Sequence, residues 1–169
     1  MLDITQVTQD ILYWSETFVE KPHPALGGWP PCPFARQARL NHKVKVMIGI
    51  DPYYDMKSRA GWGMGDHEVI VYAYDPAVWA YEQFSTALRD ANQEFLLGRD
   101  LLVLEDHPAD PEIVNGISMN QGTYALALVQ SLGKLDAAAA QMHHKGFYNS
   151  WPPDYLEQLF QHRVDPRKS

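Results

Sequence analysis

The chain is poor in cysteine: Cys32 is the only one. A single thiol excludes an internal disulfide, and with it the stapled scaffolds of small secreted domains. Long apolar runs are also missing, so no segment reads as a membrane-spanning helix. Met1–Gln6 carries neither a basic stretch nor an apolar one, so no secretory signal is expected and the expected location is cytoplasmic. The formal net charge of −7 repels phosphate backbones, which argues against nucleic acid as a partner on electrostatic grounds. Familiar catalytic signatures are absent. There is no Gly-x-Ser-x-Gly, no P-loop lysine and no His-Glu-x-x-His or paired Cys/His spacing, so the motifs assign no metal and no cofactor.

What is present suffices for a core. Hydrophobic residues make up 46 % of the sequence, and 169 residues fit one domain spanning 1–169, with 164–169 expected to fray. Asp3 and Gln6 form a capping pair ahead of a helix carrying Ile4, Val7, Ile11 and Phe18 at helical spacing. A short helix is expected from Pro33 to about Leu40. Lys43–Asp51 alternates like a half-buried strand, and Glu68–Tyr74 is a second. Pro52–Asp66, punctuated by Gly61, Gly63 and Gly65, reads as a long loop. Asp75-Pro76 predicts a helix start, and Gly98 its end. Leu101–Leu104 is apolar on both faces and reads as a central strand. A loop over Glu105–Gly122, a fourth strand over Thr123–Gln130, a helix over about Leu132–Lys145 and a last one from Pro152-Pro153 complete the chain. The order α-α-β-β-α-β-β-α-α predicts an α+β fold: a four-stranded, mainly antiparallel sheet, strand order 2-1-3-4, with helices packed on one face.

Local chemistry is most arranged at Gly27-Gly28-Trp29-Pro30-Pro31-Cys32-Pro33. Proline is favoured at the first helical position, so Pro33 places Cys32 at an N-cap. A sulfur there faces free N–H groups and the positive end of the helix dipole, which favours thiolate. Arg36, Arg39, His42, Lys43 and Lys45 follow with no acidic residue among them. They form either a solvated face or a local anion site. The alternative for Cys32 is a small buried residue packed beside Trp29 and Phe34. Cys32-Pro33-Phe34-Ala35-Arg36 resembles the Cys-Pro-Phe-Ala motif of an uncharacterised family of small bacterial proteins. The resemblance covers the first quarter of the chain, and implies only that the cysteine belongs to a recurring module after an N-terminal helix.

Two function classes follow. In one, Cys32 is a nucleophilic or redox-active thiolate supported by Arg36 or Arg39, with His42 or His107 as acid/base. His107 belongs to Glu105-Asp106-His107-Pro108, just past a buried strand, where functional loops are common. In the other, the protein is a noncatalytic module whose aromatic segments contact a protein partner or a second copy through Tyr53, Tyr54, Trp62, Tyr148 and Trp151. With no complete catalytic constellation in the sequence, the interaction module is the favoured expectation. Metal binding by mixed His, Asp and Glu ligands ranks third.

Overall fold

The computed structural model describes residues 1–168. Helix α1, Ile4–Trp14, starts as its cap predicts: the Gln6 N–H donates to Asp3 Oδ2 at 3.2 Å. It runs into a π-helical turn at Ser15–Val19, and a short helix α2 follows at Ala35–Leu40. The main sheet contains β1 (Val44–Ile48), β2 (Val69–Tyr74), β3 (Leu101–Asp106) and β6 (Ala125–Ser131). The two-residue strands β4 (Ile113–Val114) and β5 (Ile117–Ser118) form a separate hairpin between β3 and β6.

The fold is α+β, but the sheet is mixed. Its order is β1-β2-β6-β3, with β1 parallel to β2 and the other two pairings antiparallel. The expectation of a mainly antiparallel sheet therefore fails at its first pair of strands. Parallel neighbours need a crossover, and the segment read as a loop supplies it: α3 spans Pro52–Trp62. Asp51 caps α3 by accepting the N–H groups of Tyr53 and Tyr54, Pro52 sits at its first turn, and Met56, Arg59 and Ala60 face inward. The expected order 2-1-3-4 is also replaced, because the third long strand, β3, lies at an edge and not at the centre. It reads as apolar on both faces because both faces are covered. Its free edge is guarded by Asn92, whose side chain donates to Val103 O at 3.0 Å and accepts from Val103 N at 2.9 Å, imitating a neighbouring strand.

Helices pack on both faces of the sheet, not on one. Helices α3 and α4 (Tyr81–Ala91) bury Met56, Phe84 and Leu88 against Ile70, Tyr72, Val103 and Ala127. Helix α1 buries Val7 and Ile11 against Val71, Ala73 and Leu126 on the other side. Gly49 permits this architecture at one tight point, since a Cβ there would overlap the Tyr74 ring. A third cluster joins α5 (Leu132–His144), α6 (Pro153–Leu159) and the hairpin through Met142, Phe147, Trp151, Leu156 and Val114. Near the C-terminus, Pro166–Lys168 forms a 3-10 turn, and Arg167 Nη2 reaches Asp165 at 2.6 Å and Glu157 at 3.1 Å. Ser169, part of the tail expected to fray, lies outside the described residues.

Candidate functional site

Cys32 is not the N-cap of α2; Phe34 occupies that position, and Pro33 lies within the preceding turn. The Cys32 carbonyl accepts the Ala35 N–H at 3.3 Å, and its own N–H donates to Val19 O at 3.1 Å. The sulfur does receive the N–H groups of Phe34 and Ala35, which favour its ionised form. Burial outweighs them and the nearby Glu20 carboxylate adds to it, so the thiol is pushed up instead of down.

The expected supporting residues are elsewhere or engaged. Arg39 makes a two-point contact with Glu20, at 2.7 and 2.9 Å. That contact holds the Glu20 carboxyl below its ordinary range, and Ser15 also donates to it at 2.6 Å. Arg36 and His42 are exposed, His42 at a positive φ of 56° beyond the end of α2. His107 is buried, and both its ring nitrogens are bonded. Nδ1 accepts the Ala109 N–H at 3.0 Å, which leaves Nε2 to donate to Trp79 O at 2.7 Å.

The five aromatic residues do not form one surface. Tyr148 packs at the margin of the C-terminal cluster and Trp151 is buried in it, with ring contacts to Phe147 at 4.9 and 5.6 Å. Tyr53 donates its hydroxyl to Glu94 and lies edge-on to Phe95. Only Tyr54 and Trp62 are well exposed, at 62 and 72 %, and the Arg59 guanidinium lies 5.4 Å from the centre of the Trp62 ring.

What the fold does build is a chamber of about 320 Å³ between the end of α1, the β3 side of the sheet, the β4–β5 hairpin and α6. Trp14, Phe18, Leu104, Leu128, Met119 and Leu159 give it apolar walls, and Cys32 is part of one wall. Into this surface are set three carboxyl groups, those of Glu105, Asp106 and Glu112, with no lysine or arginine among the lining residues. Glu105 and Gln158 also border an adjoining, more polar cleft of about 640 Å³ that includes Tyr81, Ser85 and Arg89 of α4.

Each carboxyl has a fixed setting. Asp106, at the end of β3, accepts from Asn120 Nδ2 at 2.8 Å and from the Gln121 N–H at 2.9 Å. Asn120 is the hub of the loop: its Oδ1 accepts the Glu112 N–H at 2.7 Å, and its amide also donates to His107 O and Asp110 O. Glu105 accepts the Ser85 hydroxyl at 2.8 Å. Glu112 accepts the hydroxyl of Tyr155, which comes from α6 and stacks on Trp151. Burial is the main force on all three acids and raises each above its ordinary range. Glu112 moves furthest, to about 7, because Asp106, Asp110 and Glu105 add negative charge around it. Burial beside Glu112 also drives the Tyr155 hydroxyl well up.

A scan against family models finds no match, and no curated protein or solved structure matches the chain. The site is therefore read from its own residues. The sequence pointed to Glu105–Pro108 but not to Glu112, Trp14 or Tyr155. One signal was available: between Arg99 and Lys134 there is no lysine or arginine, while Glu105, Asp106, Asp110 and Glu112 fall within a few positions of one another. Acids crowded after a buried strand, without compensating charge, mark an environment that shifts their titration.

Proposed function

We propose that the protein binds a small, largely apolar organic molecule in the chamber under α1 and α6. The observation that carries this reading is the insertion of Glu105, Asp106 and Glu112 into an otherwise apolar cavity of about 320 Å³. That size falls in the range of small-molecule sites, and apolar walls with a few convergent polar groups are their usual composition. With Glu112 held at about 7, the site also contains a group able to take up or release a proton at neutral pH, as acid–base chemistry requires. The test uses N-phenyl-1-naphthylamine, a neutral dye that fluoresces in apolar surroundings. Saturable one-to-one binding is expected, and Leu128→Trp, which fills the chamber, should remove it while circular dichroism and the thermal transition stay native. Equal dye binding by the filled variant, or no saturable binding by the original chain, would overturn the reading.

A second reading, contact with a protein partner, rests on the exposure of Tyr54 and Trp62 alone. Gel filtration of the Trp62→Ala variant tests it for self-association; a wholly monomeric original chain with an unchanged elution volume counts against it.

A further inference from the structure

We propose that the ligand of this chamber is an organic ammonium compound: an apolar body lodged against Leu104, Leu128 and Phe18, and a positively charged nitrogen at the Asp106–Glu112 end. The proposal rests on the chamber being a ligand site and adds the charge of the ligand. Two observations point the same way.

The first is charge. Of the lining residues, only Glu105, Asp106 and Glu112 have side chains that normally ionise at neutral pH, and all three are acids. A carboxylate or phosphate ligand would meet repulsion from all three. A neutral ligand would leave the repulsion between Glu112 and its acidic neighbours as it is. An ammonium relieves it, as an opposite charge within a few ångströms favours the ionised carboxylate.

The second is the nature of the walls. Trp14, Phe18 and Tyr155 line the same chamber as the acids, with Tyr155 bonded to Glu112, and ring faces attract organic cations. Among the described residues, no group of three or more His, Cys, Asp or Glu could hold a metal ion. Acids and aromatic rings lining one chamber fit a bulky, soft cation better than a small divalent one.

The test is a calorimetric titration with three probes that share a phenol and differ in the head group: tyramine (ammonium), tyrosol (hydroxyl) and 4-hydroxyphenylacetate (carboxylate). At pH 8 tyramine should bind at least tenfold more tightly than tyrosol, and the carboxylate more weakly than either. Glu112→Gln should remove most of the tyramine advantage while leaving tyrosol affinity within about twofold. The original chain provides a check free of any folding effect: lowering the pH from 8 to 5 should weaken tyramine and leave tyrosol unchanged. Tyramine and tyrosol binding equally would overturn the ammonium assignment while the chamber reading stands. Failure of all three, together with the neutral dye, would overturn both.

Discussion

The two faces of the sheet meet the same strands and end differently. On the α3–α4 face the packing is closed and buried polar groups are matched. Arg59 is 7 % exposed, yet its Nε donates to the Tyr72 hydroxyl at 2.8 Å and its Nη1 to Gly63 O at 3.1 Å. Tyr74 donates to Asp55 at 2.8 Å. On the α1 face Val7 and Ile11 cover Val71 and Ala73, but towards β3 the cover stops and the chamber begins, with its acids crowded and no lysine or arginine among its lining residues. A chain selected only for stability would have closed that end with apolar side chains, since a half-compensated buried charge costs more than a dry core. Departures of this kind concentrate where a protein does something.

The comparison predicts unequal responses to the same kind of cut. Phe84→Ala on the closed face removes a fully buried ring and should cost about 3–5 kcal/mol. Leu128→Ala, at a wall that already borders open space, should cost less than about 2 kcal/mol, because the lost methyl groups were only partly enclosed. Paired denaturant melts measure both; equal losses would mean the chamber wall is as tightly packed as the closed face. Asn92→Ala should cost about 2–3 kcal/mol, since it strips both edge bonds from Val103.

Glu112→Gln should act in the opposite direction. The folded protein holds this carboxyl at about 7 against an ordinary 4.5, so the folded chain binds the proton more tightly than the unfolded one. The acid therefore costs nothing below about pH 4.5. Its penalty grows as pH rises towards 7 and is complete above. The variant should match the original at pH 4.5 and exceed it by roughly 1–2 kcal/mol at pH 8, a gain limited by the group's contact with water. Melting curves across pH 4–8 check the sign. The smallest effect belongs to Cys32. Its thiol is held up by burial, so alkylation by iodoacetamide at pH 7.5 should be several-fold slower than that of a free thiol of pKa about 8.5. Faster alkylation would restore the thiolate and make this wall of the chamber reactive.

Much of the secondary structure was readable in advance. The cap at Asp3, the alternation of β2 and of Tyr124, Leu126 and Leu128, and the stop at Gly146, which adopts φ 81°, all act within a turn or two of chain. Two of the four Asp-Pro pairs, at 51–52 and 75–76, show where local signals fail. Asp51-Pro52 opens α3 at once, whereas Asp75 only accepts the Ala77 N–H at 2.8 Å in a turn, and α4 begins six residues later at Tyr81. The dipeptide is the same; what differs is whether the following residues find a face to bury. Met56 and Ala60 find one against the sheet, and the glycines of 61–65 mark the helix end and not a loop. Cys32 shows the same limit: flanking prolines rigidify the backbone, but burial and the Glu20 charge set the state of the sulfur.

Sequence alone determined the lengths and apolar faces of most strands and helices, the lack of an internal disulfide and the acidic balance, because each depends on composition or on neighbours a few residues apart. Tertiary structure alone decided that β1 and β2 run parallel, that β3 lies at an edge, and that Trp14, Asp106, Glu112 and Tyr155 share one chamber. Strand partnership and the desolvation of a carboxyl are set by which distant segments meet, and those segments carry no mark of one another in the order of their residues.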